Sequence, residues 1–136
     1  MTDRHVVLVC GPPCSGKTTY VRERMQPGDL VVDYDDIARR LGSRRTHGHD
    51  YRFHKKVEAV IARALAALEQ GKHDRAWVIR SLPNDADRQA LARRIGAEVV
   101  VLDEPDEVLL ARARQRGNPA PTVAAIRQWR EAAATA

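Results

Sequence analysis

The stretch Gly11–Thr18 places a lysine and a hydroxyl beside two glycines at fixed spacing. It reads Gly-Pro-Pro-Cys-Ser-Gly-Lys-Thr, which fits the pattern G-x-x-x-x-G-K-[ST] of a phosphate-binding loop. Glycines let the backbone approach an anion without a Cβ in the way. Lys17 is expected to reach the β- and γ-phosphates, and Thr18 to place its hydroxyl on Mg²⁺. The pattern therefore predicts ATP or another nucleoside triphosphate as ligand, with Mg²⁺ as its companion ion.

The segments on either side fit this interpretation. Residues 5–10 are a short apolar run typical of a buried parallel strand, and residues 18–25 contain no helix breaker. A helix N-terminus offers unpaired N–H groups and the positive end of the helix dipole. Pro12 and Pro13 lack N–H groups, so the donors are expected from the following residues. The alternative is a glycine-rich turn with a solvated lysine. The residues expected to hold the nucleotide are Gly11, Cys14, Ser15, Gly16, Lys17, Thr18 and Thr19.

Carboxylates follow the second predicted strand, residues 30–33, directly. This strand ends at Asp33, and Asp35 and Asp36 come next. Phosphoryl transfer needs a group that accepts a proton from the attacking hydroxyl, and carboxylates that position Mg²⁺. Asp35 is the candidate base, and Asp33 is a candidate for binding both substrate and metal. The alternative is that Asp35 or Asp36 caps a helix starting near Ile37.

This combination resembles the small P-loop kinases: polynucleotide 5′-kinase, zeta-toxin-type kinases, gluconate kinase and adenylylsulfate kinase. They carry a phosphate loop and then an Asp-x-Asp or Asp-Asp element after the second strand. The resemblance implies that Asp35 is the general base or binds the substrate hydroxyl, and that the γ-phosphate is transferred to that hydroxyl. These families often place an arginine three residues after the key aspartate, where this chain has Ala38. Arg39 and Arg40 follow, and Arg39 is the candidate substrate-binding residue.

The third predicted strand ends on a cation where an acid is common. Many P-loop enzymes place an aspartate there that orders the magnesium shell, but this chain has Arg80. Arg80 could hold a substrate phosphate, or pair with Asp33 or Asp35 as a structural bridge, and both interpretations stay open. The metal would then rely on Thr18, an aspartate after strand two, and water. Asp103, which ends the fourth predicted strand, is expected to cap the next helix rather than bind metal.

Arginines recur on the helix after the fourth strand. Arg112 and Arg116 are four residues apart and so share one helical face. In the kinases named above, this helix carries arginines of a lid that closes over the nucleotide. Guanidinium groups suit that role because they stay charged and grip phosphates with a fork of donors. The resemblance implies that both arginines are catalytic. The alternative is that they compensate the negative end of the helix dipole.

Cationic and aromatic side chains crowd residues 39–56. The cationic and histidine side chains are Arg39, Arg40, Arg44, Arg45, His47, His49, Arg52, His54, Lys55 and Lys56. Tyr51 and Phe53 lie among them, which would suit a phosphate backbone with a base stacked on a ring. The alternative is a solvated loop, and the histidines lack the spacing of a zinc site. We therefore expect a nucleic acid or a nucleotide as a possible acceptor.

Strand and helix patterns alternate along the chain. Beyond the elements above they are an apolar helical face over 57–68 ended by Gly71, a strand at 76–79, a helix between Asn84 and Gly96, a strand at 98–103, a helix starting at Pro105 and a final helix from about Thr122. This order predicts an α/β fold, a three-layer αβα P-loop NTPase with a short parallel sheet of about four strands. Ligands should bind at the carboxyl ends of the strands.

Size and composition set the remaining expectations. The 136 residues predict one domain, and the net charge of +5 favours anionic partners. No apolar run reaches the length of a membrane span, and the N-terminus does not resemble a signal peptide. Cys10 and Cys14 are too few for a metal site and suggest reduced thiols in the cytoplasm. Trp77 and Trp129 are expected in the core.

Three functions fit these observations. The first is an ATP- and Mg²⁺-dependent kinase that phosphorylates a hydroxyl of a nucleic acid, nucleotide or small molecule. The second is an ATP-hydrolysing enzyme of the AAA type, for which the chain is short. The third is a nucleotide-sensing or nucleic-acid-binding module with little catalysis, which Arg80 keeps open.

Overall fold

The computed structural model describes residues 4–43 and 51–135, without the side chain of Tyr51. Strands and helices alternate as predicted. They are β1 (His5–Cys10), α1 (Lys17–Arg24), β2 (Leu30–Val32), α2 (Tyr34–Arg40), α3 (Tyr51–Glu69), β3 (Arg75–Arg80), α4 (Asp85–Ile95), β4 (Glu98–Val101), α5 (Asp106–Arg114) and α6 (Pro119–Ala134).

The strands form one sheet in the order β2-β3-β1-β4, and every neighbouring pair is parallel. β1 lies at the centre, with Leu8 opposite Val78 of β3 and Val99 of β4. All four carboxyl ends therefore meet at one edge. The predicted α/β class and the short parallel sheet of four strands are confirmed, and the described residues contain no fifth strand.

Both faces of the sheet are buried, which explains why its strands are almost continuously apolar. Val6, Leu8 and Cys10 of β1 pack with α3 and α4 in one cluster. Val7 and Val9 point the opposite way, into a second cluster that includes Val21 of α1. The alternation of side chains along each strand thus decides which layer a residue joins.

Several boundaries differ from those read in the sequence. α2 begins at Tyr34, directly after β2, because Asp33 takes an extended conformation (φ −137°, ψ 125°) as its N-cap. α6 begins at Pro119, three residues earlier than expected, since a proline fits the first turn of a helix, where its missing N–H is no loss. α4 follows the prediction: Asn84 accepts from the amides of Ala86 and Asp87, and Gly96 ends the helix at φ 68°.

Both tryptophans lie in the core, as predicted, and each donates a hydrogen bond there. The Trp77 indole N–H donates to Asp29 Oδ2 at 2.8 Å, and Arg75 Nε donates to Asp29 Oδ1 at 2.8 Å. The Asp29 side chain is only 2 % exposed. The Trp129 indole N–H donates to the carbonyl of Ser81 at 2.7 Å. The second bond ties α6 to the end of β3.

α6 is also tied to the segment between β4 and α5. Arg130 donates to Asp106 Oδ1 and to the carbonyl of Glu104, both at 2.8 Å, and to Asp103. Pro105, rather than Asp103, occupies the N-cap position of α5, and no side chain caps that helix. The carboxylate of Asp103 therefore anchors α6. Among the described helices, none is long and apolar enough to cross a membrane.

Candidate functional site

The loop between β1 and α1 has the backbone shape that its glycines suggest. Gly11 has φ 155°, and a Cβ there would overlap the carbonyl oxygen of Leu102. Gly16 has φ 91° and caps α1. Cys14 also adopts a left-handed conformation, at φ 67°, which is uncommon for a residue with a side chain. The loop is therefore a tight cradle at the N-terminus of a helix.

Lys17 lies across this cradle. Its Nζ donates to the carbonyls of Gly11 at 2.8 Å and Pro12 at 2.9 Å. Burial lowers the pKa of Lys17 to about 8, against an opposing influence from the nearby Cys10 and Asp33. The cation thus occupies the concave side of the loop, where a phosphate would meet it.

Ser15 contributes a polar group without a partner. The residue is only 4 % exposed, and within residues 4–43 and 51–135 its hydroxyl has no hydrogen-bond partner. Buried hydroxyls are nearly always paired, so such an exception calls for an explanation. A bound anion would supply the missing acceptor. This hydroxyl and the loop geometry fit a phosphate group.

The two expected carboxylates reach the same cleft. Asp33 is 9 % exposed, and burial together with the charge of Asp35 raises its pKa. Both residues line the cleft next to the loop. Asp36 does not line it and instead pairs with Arg40 at 3.1 Å. The structure thus separates Asp33 and Asp35 from the third acid of the cluster.

Both predicted arginines also line the cleft, but they do not share a helical face as expected, because α5 ends at Arg114 and Arg116 lies beyond it. Arg112 Nη1 donates to the carbonyl of Cys14 at 2.8 Å, and Arg112 lies 3.9 Å from a carboxylate oxygen of Glu104. The positive charge of Arg116 contributes to lowering the pKa of Lys17. α5 and the segment that follows it therefore bring two guanidinium groups to the cleft beside the phosphate loop.

These groups share one open cleft of about 740 Å³, which suits a small-molecule ligand. Its lining residues are Pro13, Cys14, Ser15, Gly16, Lys17, Thr18, Thr19, Tyr20, Glu23, Arg24, Asp33, Asp35, Ile79, Leu102, Glu104, Arg112 and Arg116. The loop, the acids and the arginines come from separate parts of the sequence and meet here because the strand ends meet.

The other two residues expected to bind substrate lie elsewhere. Arg80 lines a second hollow, between α3 and α4, with Asp87 and Arg94. It follows Val78 on the sheet face that packs against those helices, so strand alternation turns it away from the cleft of the phosphate loop. Arg39 is exposed near the end of α2 and does not line the cleft. Neither lines the cleft with Asp35, although the positive charge of Arg39 partly offsets the rise that burial causes in the pKa of Asp33.

The donors present suit a magnesium ion that keeps water and phosphate ligands. In the part of the chain that the structure describes, no three His, Cys, Asp or Glu side chains cluster to hold a metal alone. Mg²⁺ characteristically takes one or two protein oxygens together with substrate phosphates. The hydroxyl of Thr18 and the carboxylate of Asp33 both line the cleft and could serve in this way.

Sequence reasoning missed four polar residues of the cleft. Glu104 follows β4 and meets Arg112, while Tyr20, Glu23 and Arg24 come from α1. The sequence spacing of Tyr20 and Arg24 could have indicated that these two lie together, since residues four apart share a helical face. The predicted basic stretch is only partly described, because Arg44, Arg45, His47 and His49 lie outside the described residues.

Solved structures share this fold at low sequence identity. The Pnkp1/Rnl/Hen1 RNA repair complex aligns with a TM-score of 0.63 and 16 % identity over 96 % of this chain and 46 % of the other. The AvrRxo1-ORF1:AvrRxo1-ORF2 structure with sulphate ions gives 0.61 and 18 % over 98 % and 50 %. Shikimate kinase from Acinetobacter baumannii, with shikimate, gives 0.55 and 20 % over 94 % and 75 %. The chain thus spans about half the length of the first two.

The expected resemblance to small P-loop kinases is therefore confirmed for the fold. No protein of curated function matches the sequence significantly. A sequence family does match, over residues 6–136, which is nearly the whole chain. On this ground the chain belongs to the family AAA_33, described as an AAA domain.

Proposed function

We propose that this chain is a phosphotransferase that moves the γ-phosphate of ATP, or of another nucleoside triphosphate, to a hydroxyl acceptor. One observation carries the proposal: the phosphate loop, Asp33 with Asp35, and Arg112 with Arg116 line a single cleft. A nucleotide-binding module needs the loop alone. The added acids and arginines are the groups that phosphoryl transfer requires. We also propose that residues 1–136 form one such domain.

The loop side of the cleft would hold the donor nucleotide. Lys17 and the loop amides bind the phosphates, and the unpartnered hydroxyl of Ser15 donates to one of their oxygens. Thr18 and Asp33 hold Mg²⁺, which would neutralise charge that develops on the phosphates. The two carbonyls that hold Lys17 would give way to phosphate oxygens, which bind a cation more strongly.

The acid side would receive the acceptor. Asp35 accepts the proton of the attacking hydroxyl, and Asp33 helps to position that hydroxyl or the metal. Burial and the negative charge of Asp35 raise the pKa of Asp33, because the two carboxylates lie close together. An aspartate that only capped a helix would need no second carboxylate beside it in the cleft.

The arginines would stabilise the negative charge of the γ-phosphoryl group during its transfer. Arg112 already touches the loop through the Cys14 carbonyl, so its guanidinium lies beside the phosphate cradle. Arg116 lies just beyond the end of this helix and lines the same cleft. Fixed cations aimed at developing charge are among the largest contributions an enzyme makes to catalysis.

The acceptor that we propose is a nucleic acid or a nucleotide. The chain carries a net charge of +5, and α2 packs on α3, with exposed cations on both helices. These cations are Arg39, Arg40, Arg52, Lys55 and Lys56. One protein of similar fold belongs to an RNA repair complex, whereas another phosphorylates a small molecule, as its name states. A small hydroxyl compound is therefore the second acceptor class to test.

The deciding experiment follows labelled γ-phosphate into a panel of 5′-hydroxyl oligonucleotides, nucleosides and small alcohols. Lys17→Ala and Asp35→Asn are expected to abolish transfer. Asp36→Asn is the matched control, since Asp36 lies one residue away but pairs with Arg40 outside the cleft. Full activity of Asp35→Asn would remove the base assignment, and full activity of Lys17→Ala would remove the site itself.

Hydrolysis of ATP is the second candidate, favoured by the family description as an AAA domain. It predicts phosphate release that is unaffected by any acceptor, whereas transfer predicts labelled acceptor. Tight binding of ATP without either product would instead indicate a sensing module. We also propose a cytoplasmic location, because Cys10 and Cys14 are both free thiols.

A further inference from the structure

A stacked pair on α1 forms part of the cleft that the proposed reaction does not use. The guanidinium carbon of Arg24 lies 3.7 Å from the centre of the Tyr20 ring. Arg24 Nη1 also donates to the backbone carbonyl of Tyr20 at 3.1 Å and approaches Glu23 at 3.4 Å. The ring contact and the hydrogen bond to the Tyr20 carbonyl hold the guanidinium plane in one place. All three residues line the same cleft as the phosphate loop.

The usual role of an arginine at the end of a helix does not account for the stacked pair of Tyr20 and Arg24. An arginine in the last turn commonly bonds the carbonyl four residues earlier and complements the helix dipole. That role would not require the guanidinium to lie over an aromatic ring inside a ligand cleft. Nor does the ion pair with Glu23 fix it, since both side chains are largely exposed, at 46 % for Arg24 and 65 % for Glu23, and such pairs are weak.

We propose that Arg24, whose guanidinium lies on the Tyr20 ring, is a stacking platform for a nucleobase bound in this cleft. One face of the guanidinium lies on the ring, and the half-exposed side chain offers its other face to a ligand. A flat cation held in place by an aromatic ring stacks well on the π-face of a base. The inference rests on the proposed function, because the base would belong to the donor nucleotide or to the acceptor.

A base fits this platform better than a further phosphate. Phosphate is gripped by the edge of a guanidinium, through its N–H groups. Here Nη1 of the guanidinium already contacts both the Tyr20 carbonyl and the Glu23 carboxylate. The negative charge of Glu23 would also repel an anion at this point. The flat face, by contrast, remains suited to an uncharged ring.

The donor arm of the test compares ATP with inorganic tripolyphosphate, which carries the phosphates without a base. Dissociation constants are measured by calorimetry in the presence of Mg²⁺ for wild type, Arg24→Ala, Arg24→Lys and Arg22→Ala. Arg22 is the matched control, an exposed arginine of the same helix that does not line the cleft. If the base is the donor's, both Arg24 variants weaken ATP binding about tenfold and leave tripolyphosphate within twofold. Arg22→Ala changes neither.

The acceptor arm compares transfer to a 5′-hydroxyl oligonucleotide with transfer to the same oligonucleotide lacking its 5′-terminal base. If the base is the acceptor's, Arg24→Lys raises the KM for the intact oligonucleotide about tenfold and leaves the KM for the abasic one unchanged. If oligonucleotides are not phosphorylated, the donor arm alone decides.

The proposal is overturned if Arg24→Lys spares both ATP and the intact oligonucleotide. It is also overturned if Arg24→Ala weakens the binding of ATP and of tripolyphosphate equally, which would indicate that the charge of Arg24 matters rather than its flat face. Failure of the proposed function looks different. In that case no labelled γ-phosphate would reach any acceptor, whatever the Arg24 variants do to the binding of ATP.

Discussion

The low pKa of Lys17 makes nucleotide binding depend on pH in a range where few other groups titrate. Burial lowers this pKa to about 8, and the neighbouring Cys10 thiol titrates far higher, at about 11. Phosphate favours the charged lysine, so binding above pH 8 must be preceded by uptake of a proton. The charged fraction falls from about nine-tenths at pH 7 to about one-tenth at pH 9. Apparent affinity for ATP should therefore fall about tenfold between these values.

Calorimetric titration of ATP from pH 7 to 9.5 measures this effect. In buffers of different ionisation enthalpy, the same titrations should show uptake of about 0.75 proton at pH 8.5. The Lys17→Arg variant is the control, because a guanidinium stays charged over the whole range. It should bind more weakly but with little dependence on pH. Wild-type affinity that is flat from pH 7 to 9.5, or an equal fall in Lys17→Arg, would refute the reasoning.

Three further predictions concern stability. Gly11→Ala should lower the free energy of unfolding by about 2 kcal/mol or more in urea melts, since a Cβ would overlap the carbonyl of Leu102, whereas Gly117→Ala, with open space around it, should stay within about 0.5 kcal/mol. Asp29 has its pKa lowered to about 2 by its hydrogen bonds, so the stability it adds is present above about pH 4 and lost as pH falls towards 2. Asp29→Asn should remove about 2 kcal/mol of that acid dependence, and an unchanged profile would contradict this. Ser15→Ala should raise the free energy of unfolding by about 1 kcal/mol, seen as a slightly higher melting temperature, and weaken tripolyphosphate binding severalfold; a lower melting temperature would count against an unpartnered hydroxyl.

The fold was largely predictable because its signals are local. Runs of β-branched residues marked the strands, Asn84 and Gly96 marked the ends of α4, and the glycines of the loop marked a backbone that only they tolerate there. Alternation of elements then allowed few topologies. Helix starts were less predictable. The beginning of α2 depends on the extended conformation of Asp33, which residue type alone does not determine.

The site was predictable where chain order and strand direction decide it. The phosphate loop, Asp33 and Asp35 all follow strand ends, and the structure places them in one cleft. Arg80 also follows a strand end, yet it faces the other layer. Its position depends on the register of β3, and a shift of one residue would reverse it. The pair of Tyr20 and Arg24 was missed because its meaning depends on a cleft that only the assembled elements create.

The attachment of α6 has a kinetic consequence for the proposed reaction. Arg130 ties α6 to the segment that precedes α5, and Trp129 ties it to the end of β3. The helix that carries Arg112 is thereby fastened to the sheet, and Arg112 itself already reaches the loop. Many kinases bring such arginines in by closing a hinged lid, whose opening limits turnover. With its arginine fixed in advance, this protein would have less motion to complete in each cycle, so we expect its turnover to respond weakly to solvent viscosity.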